Sequence, residues 1–98
     1  MVRFAVELTK EANADLLYYP ALEQKTIIAE MRIQLSHEPL AATRNRKPLR
    51  GNPARWELRH GRFRVFYEVD ETSRIVTVTA VGDKKREQLF IRGNEVKL

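Results

Sequence analysis

The stretch Trp56–Tyr67, WELRHGRFRVFY, decides the fold. Apolar and charged residues alternate on both sides of His60-Gly61, and a two-residue turn there predicts a β-hairpin. Directly opposed residues of such a hairpin share a face. With the turn centred on His60-Gly61, Arg59 falls opposite Arg62 and Glu57 opposite Arg64 on one face. Leu58 falls opposite Phe63 and Trp56 opposite Val65 on the other. The second face can enter a core. The first is a lattice of guanidinium groups, and tethered guanidinium groups suit a polyanion, of which phosphate is the commonest.

The charge of the whole chain is concentrated around this hairpin. The net charge is +5, but residues 1–42 hold four Lys/Arg against six Asp/Glu, residues 43–64 hold eight against one, and residues 65–98 hold six against six. The excess is therefore one segment: Arg44, Arg46, Lys47, Arg50, Arg55, Arg59, Arg62 and Arg64. That block reads as a docking surface for a nucleic acid or an acidic protein, with a solvated basic face as the plain alternative. Its bias toward Arg favours docking, because the guanidinium fork grips phosphate or carboxylate with two hydrogen bonds.

N-terminal to the basic block, Val2, Phe4, Val6 and Leu8 alternate with polar or small residues, the period of a half-buried strand. Thr9 is placed to cap a helix over Lys10–Tyr18 with Ala12, Leu16 and Leu17 on one side. Pro20 suits the first turn of a second helix, in which Ile27, Ile28, Met31 and Leu35 recur at helical spacing up to Pro39. From Pro39 to Pro53, PLAATRNRKPLRGNP loses periodicity and predicts a basic loop without an element of its own. Beyond the hairpin, Ile75–Val81 is a β-branched run with apolar groups on both faces, expected as a central strand ended by Gly82. The remainder, DKKREQLFIRGNEVKL, begins with a basic turn and is compatible with a short helix or another strand, anchored by Leu89, Phe90 and Ile91.

A chain of this length is expected to be one domain spanning residues 1–98, large enough to fold without metal or disulfide. It has no cysteine, which excludes thiolate zinc sites and cysteine nucleophiles and fits a reducing cytoplasm. The early charges of MVRFAVELTKEAN do not make a signal peptide, and no apolar run reaches the ~20 residues of a membrane span, so no membrane partner is expected. The two histidines, His37 near a helix end and His60 in the hairpin turn, offer no metal-ligand spacing, and no cofactor motif is present. His37 reads as a cap and His60 as turn decoration. Trp56 reads as a core anchor before a stacking platform.

The order of strand, helix pair and basic loop, followed by WELRHGRFRVFYEVD and IVTVTAVGDKKREQLF, resembles the RelE/ParE superfamily of toxins from prokaryotic type II toxin–antitoxin systems. The resemblance spans nearly the whole chain. It rests most on the loop ending Leu49-Arg50-Gly51, the aromatic-x-Leu-Arg strand, the Gly-aromatic-Arg-Val return read with one residue between, and the strand closing in Val81-Gly82 with basic residues after it. It implies an α+β, microbial-RNase-like fold: two N-terminal helices packed on one face of a twisted, mainly antiparallel sheet of about four strands. RelE-like members cut mRNA in the ribosomal A site and ParE-like members poison DNA gyrase. Both are neutralised by a cognate antitoxin, and the complex often represses its own operon through operator DNA. For this chain the resemblance implies a metal-independent, ribosome-dependent mRNA endoribonuclease, with a gyrase inhibitor or a weakened, antitoxin-binding family member as alternatives.

Cleavage through a 2′-hydroxyl needs a base, an acid and cations around the transition state. Arg59 and Arg64 match the basic family residues of the hairpin, and Lys84 and Arg86 match those after Val-Gly. The resemblance thus assigns Arg64 and Lys84 to the scissile phosphate, Arg59 to the proton-abstracting position and Arg86 to a flanking phosphate. Arg44, Arg46, Lys47, Arg50, Arg55, Arg62, Lys85 and Phe90 would bind RNA. Three positions depart from the family: Glu57 replaces a basic residue and would pair with Arg64 or act as a base, Asp83 stands where a basic residue or histidine is common, and Phe90 replaces a tyrosine.

Overall fold

A computed structural model describes residues 3–97. The chain runs β1 (Ala5–Leu8), α1 (Lys10–Leu17), α2 (Ala21–Leu35), β2 (Arg46–Leu49), β3 (Asn52–His60), β4 (Phe63–Asp70), β5 (Ile75–Lys85), β6 (Gln88–Ile91) and β7 (Asn94–Val96). This is the α+β class expected. The seven strands form one sheet in the order β2-β3-β4-β5-β6-β7, with β1 added parallel to β5. Val2, expected in the first strand, lies outside the described residues.

Local chemistry explains the helices. The Thr9 hydroxyl accepts a hydrogen bond from the Ala12 amide at 3.1 Å, a cap that contributes about 1 kcal/mol. Pro20 ends the approach to α2, and Ile27, Met31 and Leu35, four residues apart, bury one stripe of it on the sheet. Leu17 was expected beside Leu16 but is 61% exposed. Consecutive helical residues lie about 100° apart, and the buried stripe of α1 runs through Ala12, Asp15 and Leu16 instead.

The sheet has more strands than the sequence patterning suggested. Part of the expected loop Pro39–Pro53 is strand β2, turned into β3 through Arg50 and Gly51, whose φ is +82°. Pro48 is tolerated because β2 is an edge strand with a single partner. Gly82 does not end β5, which continues to Lys85. A Cβ at Gly82 would lie 2.5 Å from the Phe90 carbonyl oxygen, so this glycine lets β6 close onto β5. The chain end therefore adds two strands.

The hairpin register also differs from the expectation. Trp56 pairs with Tyr67, Leu58 with Val65, Arg59 with Arg64 and His60 with Phe63, so the turn is Gly61-Arg62 rather than His60-Gly61. Gly61 has φ +57° while Arg62 does not have a positive φ, the glycine-first pattern of a type II′ turn. A type I′ turn on His60-Gly61 would instead need positive φ at His60, which here is the last residue of β3. A one-residue move of the turn shifts the register by two, so the face parity of the strands survives but the partners change.

The core lies between the helices and one sheet face. Leu58, Val65, Tyr67, Val76, Val78 and Val81 meet Ala12, Leu16, Ile27, Met31 and Leu35. Tyr67 is fully buried and donates to the Pro39 carbonyl at 2.7 Å; burial pushes its phenol up to about 12. Buried Asp15 joins three elements, accepting from the Val81 amide at 3.1 Å and pairing with Arg92 Nε at 2.9 Å. It ties α1 to β5 and to the β6–β7 turn.

Candidate functional site

Alternation along β3, β4 and β5 sends Arg59, Arg64 and Lys84 to the sheet face opposite the helices. Arg59 pairs across from Arg64, and Arg64 across from Gly82, two residues before Lys84. All three line one polar hollow, with Glu87 at its edge. Three cations reach one hollow from three strands, against Glu87 at the rim and Glu57 beside Arg59, which leaves a net positive site suited to an anion.

The surroundings of Arg64 act on it in both directions. Its guanidinium is held below its ordinary value by burial, which Glu57 opposes more strongly than the neighbouring Arg59 adds to it. Nη1 donates to the Gly61 and Phe63 carbonyls, each at 2.8 Å. These bonds hold the side chain in place without neutralising it.

Glu57 does not pair with Arg64. In the observed register it stands across from Phe66, and its carboxylate binds Arg59 Nε at 3.0 Å along the same strand. Glu57 is buried, so this is a partly desolvated ion pair, and it holds the Arg59 guanidinium against the strand. A second, more apolar hollow adjoins the first: Pro48, Leu49, Pro53 and Glu57 line it together with Lys47 and Arg50, and it shares Arg59 and Lys84 with the cation cluster.

Other candidate residues lie elsewhere. Arg46 is buried, and its Nη1 donates to the Gln34 and His37 carbonyls, the latter at 3.1 Å. It caps the end of α2 from inside the fold, so it is not a surface RNA contact. Arg62, moved into the turn, pairs with Glu23 at 2.7 Å and lies 4.3 Å from the Phe63 ring centroid, on the helix side. The Glu23 hydrogen bond raises its guanidinium above the ordinary value. Lys85 and Phe90 also face the helix side, with the ammonium 5.7 Å from the ring centroid. There they line a small cleft with Tyr18, Tyr19, Arg62 and Asp83. Arg55 pairs with Glu68 at 3.2 Å, and exposed Arg44 sits in the turn before β2.

Arg86 occupies the tight β5–β6 turn with Glu87, both at positive φ, 51° and 68°. The pair replaces the Asn-Gly usual in such turns, and left-handed backbone costs each residue about 1 kcal/mol. Asp83 is buried and accepts from the Tyr19 hydroxyl at 2.6 Å; burial and this bond raise the phenol well above its usual range. His60 is strand rather than turn, with Nδ1 3.4 Å from Glu30 on α2, and the His37 carbonyl serves Arg46. Neither histidine faces the cations. No group of three metal-ligating side chains occurs among the described residues, and no described helix is long and apolar enough to cross a membrane. The hollow under Pro48 and Leu49 was missed from sequence because it needs β2, whose Pro48, with Gly51 just beyond it, reads as loop.

Solved toxin structures share this architecture. The RelBE2 toxin–antitoxin complex of Mycobacterium tuberculosis aligns at TM-score 0.73 and 30% identity, covering 86% of this chain and 94% of that one. The isolated RelE toxin of E. coli aligns at 0.70 and 16% identity, covering 85% and 86%. The YoeB/ParE toxin of Agrobacterium tumefaciens aligns at 0.67 and 18% identity, covering 84% and 100%. The fold and its cationic hollow thus define a RelE/ParE superfamily toxin domain. Residues 6–88 match the ParE toxin of type II toxin–antitoxin systems, parDE, and the chain belongs to that family. A search of curated proteins finds no significant match.

Proposed function

We propose that this toxin is a ribosome-dependent mRNA endoribonuclease neutralised by a cognate antitoxin. The observation that carries the reading is the convergence of Arg59, Arg64 and Lys84 on one hollow of the open sheet face. A scissile phosphate there would meet three fixed cations, and negative charge growing on its oxygens would be stabilised without reorganisation. Arg64 and Lys84 supply that charge, Arg59 is fixed by Glu57 as a third cation, and Arg86 reaches a flanking phosphate from the turn beyond Lys85. Placement of the message by the ribosome is compatible with the absence of a histidine pair on this face. An antitoxin partner is supported by relatives solved as toxin–antitoxin complexes, among them the Mycobacterium tuberculosis RelBE2 pair. Such a complex on operator DNA would follow from the same pairing.

Adding the purified protein to a cell-free translation reaction and mapping new 5′ ends tests the reading. Discrete cuts within translated messages are expected, lost with Arg64→Glu; intact messages would refute it. Gyrase inhibition is the second reading, favoured by the match to the ParE toxin family. It predicts trapped DNA breaks with mRNA untouched.

A further inference from the structure

We infer that Asp15, on the helix side of the sheet, is a positioning residue for Lys84, acting through Arg92 and the β6–β7 hairpin. The inference rests on the RNA reading proposed above and concerns what keeps the third cation of that site in place. Lys84 lies beyond the last register pair of β4 with β5, which is Phe63 with Asp83. On the β4 side its amide donates to the Arg62 carbonyl in the turn, at 2.8 Å. Its other support is β6, which meets β5 in three register pairs with Lys84 and Leu89 as the middle one. Where β6 sits therefore decides where the Lys84 ammonium points.

The seat of β6 is set from the other side of the sheet. β1 pairs with β5 as far as Val78 and β6 begins at Asp83, so among the described residues no strand pairs with the outer edge of β5 between them. Asp15 fills that gap. Its Oδ2 accepts from the Val81 amide at 3.1 Å, and its Oδ1 faces Arg92 Nε at 2.9 Å. Arg92 and Gly93 form the tip of the β6–β7 hairpin, both at positive φ, 49° and 77°. A Cβ on Gly93 would lie 2.9 Å from the Tyr18 hydroxyl oxygen, so the tip also rests on the end of α1. The Asp15 side chain is only 3% exposed, and Oδ1 has no aligned hydrogen bond among the described residues, so the charge of Arg92 compensates it. A buried carboxylate deprived of its counter-charge is strongly unfavourable. Relief requires Asp15 to reach water, which gives up Val81, frees the hairpin tip and loosens β6 beside Lys84.

The test measures binding of a short single-stranded RNA with 2′-O-methyl sugars, which cannot be cut through the 2′-hydroxyl, over a range of salt. Asp15→Asn keeps an acceptor for Val81 but removes the charge that holds Arg92, and it raises the formal net charge of +5 by one. By overall charge alone it should bind RNA more tightly. Displacement of Lys84 from the hollow should instead weaken binding about tenfold at about 0.1 M salt and reduce the salt slope by about one, the share of one phosphate contact. The second result is expected. Arg92→Gln breaks the pair from its half-exposed end and should do the same, which keeps the test decisive if Asp15→Asn does not fold. In a Lys84→Met background neither substitution should weaken binding further, a non-additivity that a general loss of stability would not produce. Ile27→Val, a core change away from the hairpin, should leave affinity and slope unaltered. Unchanged or tighter binding by folded Asp15→Asn and Arg92→Gln overturns the inference, as do losses that persist in the Lys84→Met background; either result leaves the nuclease reading standing. Wild-type protein that binds this RNA but cuts no message sinks the nuclease reading and leaves the positioning test in force. Wild-type protein that does not bind the RNA overturns the positioning role.

Discussion

Arg62 and Arg64 stand two residues apart on one hairpin and live in opposite environments. Arg62 faces the helices, where Glu23 meets it at 2.7 Å and raises its guanidinium. Arg64 faces the open side of the sheet, where burial lowers it against the opposing pull of Glu57. The same division recurs on β5: Asp83 points into the helix side and binds Tyr19, while Lys84 points into the hollow. One region is locally matched in charge and the other is cationic by construction. An array of basic residues therefore says little until each has been assigned to a side and its partner identified.

Substitutions that exchange the two sides should break this comparison. Arg64→Glu is expected to lower toxicity in a growth assay by at least about a hundredfold, the scale seen on removing a preorganised transition-state contact. Arg62→Glu should change it by less than about twofold, because an exposed pair contributes about 0–1 kcal/mol and lies on the other face. Equal losses would mean that the hollow is not the site. On the helix side, Tyr19→Phe leaves the buried Asp83 carboxylate without its donor and should cost about 2 kcal/mol in urea unfolding, with cutting activity retained.

The salt dependence of binding should also separate the faces. Three phosphate contacts on single-stranded RNA give a slope of about −2 in log K against log salt, reduced by about one with Lys84→Met and unchanged with Arg62→Met. The smallest effect is a control on the core beneath both faces. Tyr67 has its folded-state pKa raised to about 12 from 10.0, so the stability it contributes is present below pH 10 and is lost as pH rises toward 12. Tyr67→Phe should flatten the fall in urea midpoint over that window and cost about 1 kcal/mol at pH 8 through the lost bond to Pro39.

Much of this was legible because it depends on short-range pattern. Thr9 capping, the stripe Ile27, Met31 and Leu35, and the alternation of Leu58 with Arg59 and of Val65 with Arg64 are all local. Parity alone was enough to put Arg59 and Arg64 together. Arg46 was misread because nothing near it in sequence shows that Gln34 and His37 leave carbonyls for it to cap. Arg62 and Phe90 were misread for a related reason, since a single residue of turn placement or one added strand decides which way a side chain faces.

The sequence by itself determined the class of fold, the helix pair, the central strand and the presence of a cationic hairpin, because hydrophobic period and turn chemistry act within a few residues. Tertiary structure alone decided which cations share a hollow and which are neutralised. That choice depends on strand register, and register is set by the left-handed Gly61 and by the packing of β5 against β4, β6 and β1 together. Electrostatics acts across space, so Lys84 meets Arg59 and Arg64 only after the sheet has formed.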